Sequence, residues 1–315
     1  MRRLRILTWH THGSYLYYLT QAPHDFYVLS KPDRPAGYGG RCGHLPWGPN
    51  VHDLPVEQAK QQALDLILFQ DDAQYERDQH ELLAPAQRAL PKIYLEHDPP
   101  REHPVDTRHP VDDPNVLLVH CTHFNRLMWD SGRTPAAVID HGVVDPGYRY
   151  TGELERGIVV VNNIRSRGRR LGFDVYEQAA GAVPLDLAGM GADGLGEILH
   201  RDLPAFLARY RFFFNPIRYT SMGLAVIEAM MTGLPIVALA TTEMATVIRD
   251  GANGVAGTDP ARLVTAMREL LKDRGAAAIL GLGARRTALE RFGIERFVAD
   301  WNRAFARVTE QKLAA

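Results

Sequence analysis

Along the whole chain, short apolar runs alternate with stretches of helical spacing, and this alternation limits the fold more than any other feature. Runs that are apolar throughout, too short for helices and bounded by polar turns, read as strands covered on both faces. That is the condition of a parallel sheet whose crossovers are helices. In the first half the strand candidates are residues 4–9, 26–29, 64–69, 92–95, 116–120 and 137–139. Several end in polar or glycine-bearing turns (HTHGS, QDD, EHDPP, CTHFN and DHGVVDPG), and in open parallel sheets ligands sit at such carboxyl ends. The Pro- and Gly-containing stretch DPGYRYTGELERG (145–157) reads as a linker, after which the alternation restarts with IVVVNN, VPLDLAG, RFFFNP and PIVALA. A chain of 315 residues exceeds what one hydrophobic core ordinarily spans. The expectation is an α/β protein of two doubly wound domains, residues 1–146 and 147–295. A closing helix is expected within 296–315, with Phe297, Trp301 and Phe305 on one face.

Composition excludes several classes. With 45% hydrophobic and 23% charged residues the chain is an ordinary globular protein. No run approaches the ~20 apolar residues of a membrane helix, and the start MRRLRILTWHTHGS lacks a signal-peptide core, so a cytoplasmic location is expected. Cys42 and Cys121 give neither a disulfide framework nor a zinc spacing. Residues 1–146 hold 14 Lys/Arg against 19 Asp/Glu, while the remainder hold 22 against 18, which makes the second half the better host for a phosphorylated ligand. Neither half has the basic stripe of a nucleic-acid binder, and no nucleic-acid partner is expected. Of the 13 histidines, 12 precede residue 142, yet no HExxH-type pattern occurs and no metal site is expected.

The stretch NPIRYTSMGLAVIEAMMTGLP (215–235) places a lone acid, Glu228, among Leu224, Val226, Ile227, Met230 and Met231. A carboxylate buried there needs charge compensation or hydrogen bonds; the rival reading is a solvent-facing acid on an amphipathic helix, which the surrounding apolar positions disfavour. The helix opens near Gly223 and stops at Gly233-Leu234-Pro235. Its first amides, around Ser221, Met222, Gly223 and Leu224, form an anion site, and Gly223 lets a phosphate approach the backbone. Glu228 follows about a turn and a half later, roughly 7 Å along the axis. That reach suits a ribose whose diphosphate rests on the helix front.

GLAVIEAMMTGLPIVA followed by IRDGANG resembles the C-terminal signature of the retaining glycosyltransferases of GT-B fold, whose members carry two glutamates eight residues apart. The resemblance covers most of residues 157–305 and extends weakly to the first half through LEHDPP, NVLLVHCTHFNRLMW and VIDHGVVDPGYRY. It implies two Rossmann-like domains facing a cleft, and a sugar moved from a nucleoside-diphosphate sugar to an acceptor hydroxyl with retention. It implies neither a metal nor a resident cofactor, the donor being a substrate. Glu228 matches the second glutamate, which holds the nucleotide ribose. The first glutamate's position is Thr220, which would meet the transferred sugar. Thr246 stands where the acid of the next turn is usual, with Glu243 three residues earlier.

Family members place an Arg and a Lys after the first strand of this domain to neutralise the diphosphate. Here Leu171 takes the Lys position, with Arg165, Arg167, Arg169 and Arg170 nearby. Arginine's planar fork suits phosphate, and the candidates are Arg165 with one of Arg169 or Arg170, Arg170 being carried forward. Gly189, closing VPLDLAG, joins the substrate-binding set. In the first half Gly13 and Ser14 match a loop against the donor phosphates, and His97-Asp98 resembles a His-Asp pair whose His lines the donor-sugar pocket. Catalytic candidates are thus His97, Arg165, Arg170 and Thr220. The acceptor would be a sugar, lipid or small molecule, and a peripheral contact with a membrane is compatible with it. Alternatives are a nucleotide-sugar epimerase of the same fold and a non-catalytic sugar-nucleotide binder. Base, donor sugar and oligomeric state are left open.

Overall fold

The computed structural model describes residues 2–191 and 193–310. They form two compact units: one runs to Gly142 and resumes at Ile294, the other is Val143–Gly293. In unit 1 the strands are β1 (Arg5–Thr8), β2 (Asp25–Ser30), β3 (Val51–Pro55), β4 (Leu66–Phe69), β5 (Lys92–Glu96), β6 (Val116–His120) and β7 (Ala136–Val138). They pair in the order β3-β2-β1-β4-β5-β6-β7, every neighbour parallel. Unit 2 holds β8 (Leu154–Val160), β9 (Leu185–Ala188), β10 (Tyr210–Asn215), β11 (Ile236–Leu239) and β12 (Gly254–Gly257), in the order β12-β11-β10-β8-β9, again all parallel. The interior strands β4, β6, β10 and β11 are buried along their whole length, as sheets covered by helices on both faces require.

Two strands lie outside the expectation from sequence, β3 and β12, and both are sheet edges. VHDLP carries two adjacent polar residues, His52 and Asp53, and ends in proline, which an edge tolerates, while GVAG is too short and glycine-rich to stand out. The expected linker is also shorter than 145–157, because β8 begins at Leu154 and absorbs its end. Gly157 sits inside that strand for a packing reason. A side chain there would place its first carbon 2.2 Å from the Phe212 ring on β10.

One charged residue is built into the core of unit 2. Arg211 lies on β10 with 4% exposure, and its guanidinium donates to Gly152 O at 3.0 Å and to Leu271 O at 2.6 Å. The second carbonyl belongs to the last turn of helix Pro260–Lys272, where unpaired carbonyls and the negative end of the helix dipole favour a cation. In unit 1 the helix Ile294–Glu310 buries Phe297, Trp301 and Phe305. It packs Phe297 5.6 Å from the Tyr15 ring and Phe305 5.2 Å from His24. None of the helices is long and apolar enough to cross a membrane, among the described residues.

Candidate functional site

In unit 2 the chain runs from β8 to β9 on one side and then crosses to β10 on the other, so the sheet order reverses between β8 and β10. Open α/β sheets bind ligands outside the carboxyl ends of the strands at such a point. The segments leaving those ends are residues 161–172 and 216–223, which carry Arg165, Arg170, Thr220, Ser221, Met222 and Gly223 of the candidates expected from sequence.

After β10 the chain passes Asn215, whose buried Oδ1 accepts no hydrogen bond among the described residues, and reaches the helix Leu224–Thr232. Gly223 is its N-cap, in extended conformation, with no side-chain cap, and the space within 4 Å of where a Gly223 Cβ would stand is open. Ser221 and Met222 are buried, whereas Thr220, Gly223 and Leu224 are half-exposed. The helix ends at Gly233 with φ of 99°, the left-handed stop that Gly-Leu-Pro implies.

Glu228 is 7% exposed, so it is not a solvent-facing acid. Its Oε1 lies 3.6 Å from Nδ1 of His200, a residue of the loop before helix Leu203–Leu207. Burial lowers the His200 pKa, which favours a neutral ring beside the carboxylate. The sequence reading did not single out His200, although it is the one histidine beyond residue 142.

The arginines divide. Arg165 donates to Asp193 Oδ2 at 2.7 Å and lies 4.6 Å over the Phe173 ring. Arg169 is bound to Asp174 at 2.6 Å. The Arg170 guanidinium carries no hydrogen bond or ion pair among the described residues, while its carbonyl accepts from the amides of Arg218 and Tyr219, both at 3.1 Å. Gly189 has φ of 134°, and a side chain there would place a carbon 2.6 Å from Val161 O, so it is the close approach of β8 and β9 ends that demands glycine.

Glu243, the expected stand-in for the missing acid near Thr246, is 2% exposed. Its Oε1 accepts from Thr246 Oγ1 at 2.7 Å and from Arg291 at 2.6 Å. Those bonds tie helix Met244–Val247 to helix Arg274–Phe292. The following turn is fastened in the same manner, with Asn253 donating to Val247 O and Thr287 Oγ1, both at 2.9 Å.

In unit 1 the order reverses between β1 and β4, and a polar network fills that position. Gln70, just after β4, donates through Nε2 to Thr8 Oγ1 and Trp9 O, both at 2.9 Å. Because a carbonyl only accepts, this fixes the amide, and Gln70 Oε1 must face His97 Nε2 at 3.0 Å. His97 is therefore protonated on Nε2, and its Nδ1 lone pair meets Cys121 Sγ at 3.8 Å. Burial, then the neighbouring His12 and His141, hold the His97 pKa well below the ordinary value, so the ring is neutral. The His12 and Tyr15 rings lie 4.2 and 5.0 Å from it. Asp98 bonds Arg101 at 2.5 Å and its carbonyl accepts from Trp129 Nε1 at 2.8 Å. Gly13 opens the helix Gly13–Leu19, where a side chain would press on His10 at 2.9 Å, and Ser14 beside it is half-exposed. No group of three or more His, Cys, Asp or Glu able to hold a metal occurs among the described residues.

Two parallel sheets with their switch points so arranged define an α/β fold of the GT-B type, shared with solved glycosyltransferases. HepE of Anabaena, in complex with UDP and glucose, matches with a TM-score of 0.71 at 14% identity, over 97% of this chain and 100% of that one. Sucrose-phosphate synthase of Thermosynechococcus elongatus matches with a TM-score of 0.69 at 16% identity, over 98% and 100%. Within the sequence, residues 179–273 match the family described as Glycosyl transferases group 1, a segment running from the helix before β9 to the end of helix Pro260–Lys272. The chain is similar to the D-inositol 3-phosphate glycosyltransferase of Salinispora arenicola, 39% identical over 89 residues, or 28% of this chain and 20% of that protein. It is also similar to the sulfoquinovosyl transferase of Arabidopsis thaliana, 30% identical over 132 residues, or 40% of this chain and 24% of that protein. These matches span about a fifth to a quarter of the curated relatives' lengths.

Proposed function

We propose that the chain is a glycosyltransferase that moves a sugar from a nucleoside-diphosphate sugar to an acceptor hydroxyl, with retention of configuration and without a metal ion. The observation that carries this reading is the helix front at the unit 2 switch point, which has no side-chain cap and carries a buried Glu228 about one and a half turns in; the chain leading to it bonds, at Arg218 and Tyr219, to the backbone of Arg170, whose guanidinium has no ion pair among the described residues.

In this reading the bond between the anomeric carbon and the diphosphate oxygen breaks, and negative charge grows on the leaving diphosphate. Amides at the helix front and Arg170 stabilise that charge. Glu228 accepts hydrogen bonds from the vicinal ribose hydroxyls and so fixes the nucleotide. The acceptor oxygen attacks the face the diphosphate leaves, and its proton passes to a phosphate oxygen. Thr220 meets the transferred sugar. A sugar, lipid or small-molecule acceptor is assigned to unit 1, where neutral His97 serves as a hydrogen-bonding group rather than a base. UDP is the first nucleotide to try, because it is bound in structures of this fold.

The test is a calorimetric titration of the protein with UDP, GDP, ADP and dTDP. One of them is expected to bind, and Glu228→Ala is expected to weaken it at least tenfold. Ligand at 100 times its dissociation constant adds about 2.7 kcal/mol, so the wild-type melting point should rise with it. Unchanged affinity in Glu228→Ala would remove the ribose role, and silence of all four nucleotides with the wild type would remove the donor site. The neutral Thr220 favours one second reading, a sugar-nucleotide binder without turnover, which tight binding with no hydrolysis or transfer would support. Conversion of the donor with no acceptor present would mark an epimerase.

A further inference from the structure

The two segments that leave β8 and β10 are held together by one ion pair and by contacts gathered around it. Arg218 NH1 meets Asp174 Oδ1 at 2.5 Å and Arg218 NH2 meets Asp174 Oδ2 at 2.8 Å, the parallel fork geometry in which arginine binds a carboxylate most firmly. The same NH1 donates to Arg169 O at 2.8 Å. One residue further, Arg170 O takes the amides of Arg218 and Tyr219. Gly172, with φ of 76°, brings the backbones into contact, since a side chain would place its first carbon 1.8 Å from Pro216 O. Asp174 also binds Arg169 at 2.6 Å, while the Arg170 guanidinium has no ion pair among the described residues.

We propose that Arg218 and Asp174 are positioning residues of the donor-phosphate site: the pair fixes the segment carrying Arg170 against the segment that leads into Gly223, and so sets where the guanidinium stands relative to the helix front. The inference rests on the reading of unit 2 as the donor site. Isolated ion pairs on a surface contribute little to stability. This one differs in joining two loops whose relative placement decides whether one diphosphate can touch both.

Removal of Asp174 separates this role from the simpler one in which Arg218 itself holds phosphate. Were Arg218 the ligand, Asp174→Asn would release it and tighten diphosphate binding. As a clamp, its loss loosens the loops and weakens binding. The experiment titrates wild type, Arg218→Met, Asp174→Asn and the double variant with the nucleoside diphosphate that the wild type binds best among UDP, GDP and ADP. The corresponding nucleoside is the control, and all titrations run well below each variant's melting temperature. Expected are about tenfold losses of diphosphate affinity in both single variants, a double variant no weaker than either, and nucleoside affinity unchanged. Arg218→Lys, which keeps the charge without the fork, should recover only part. Diphosphate affinity equal to wild type in both single variants, or tighter binding by Asp174→Asn, would overturn the clamp. A wild type that binds no nucleotide would instead overturn the donor reading, and the clamp's function with it.

Discussion

Burial lowers the pKa of His24, His97, His120 and His200. For His24 the geometry states the tautomer, since Nδ1 accepts from Leu4 N at 3.2 Å and Nε2 donates to Asn302 Oδ1 at 3.1 Å. His120 is pushed down to about 3, with neither ring nitrogen hydrogen-bonded among the described residues. A group whose folded pKa lies below its unfolded value of about 6.5 binds its proton more readily when unfolded. Its stabilisation is thus complete above pH 6.5 and is lost as pH falls through that value toward the folded pKa. Urea denaturation from pH 7.5 to 4.5 should therefore show stability falling from just below pH 6.5, by up to about 1.4 kcal/mol per pH unit for each histidine. A flat profile over that range would contradict it. Below pH 4 Asp65, held at about 2 chiefly by its hydrogen bond with Arg5, adds a loss of the same sign. The sequence made Glu228 legible because a lone acid in an apolar helix is an anomaly that demands a partner. His200 and Arg218 stayed hidden for the opposite reason, since a polar residue in a loop contradicts no pattern.

At the level of elements, apolar continuity carried the reading. Strands of the sheet interior, such as LILF and YRFFFN, announce themselves because both faces are covered, whereas β3 and β12 at the edges have no such requirement. The RFFFNP run also shows what periodicity leaves out: Arg211 reads as the polar start of a strand, yet it is buried and caps the end of a helix formed some 50 residues later. Arg211→Leu should therefore cost about 2–4 kcal/mol, because it leaves the Gly152 carbonyl buried, and the Leu271 carbonyl partly buried, without the guanidinium donor. A denaturant midpoint unchanged from wild type would show that water replaces the guanidinium.

For the molecule as a whole, the division in two was readable from chain length and from the restart of alternation, but the assignment of the last helix was not. Helical spacing of Phe297, Trp301 and Phe305 says that one face is covered without saying by what. In the structure that face belongs with unit 1, where Gly142 makes room for Phe297: a Gly142 side chain would begin 2.2 Å from its Cβ. Ending the chain at residue 293 should consequently cost unit 1 its melting transition while unit 2 keeps its own, which two-domain calorimetry would resolve. The reason unit 2 should survive lies in its ends. Val143 N donates to Phe292 O at 2.9 Å, and Val143 bridges Gly293, so the unit starts and finishes at one place. In genetic terms it is a cassette set into the coding sequence of its neighbour: residues 143–293 form a segment that can be lifted out, circularly permuted or exchanged with the matching piece of a relative, leaving only two adjacent joints to be rebuilt.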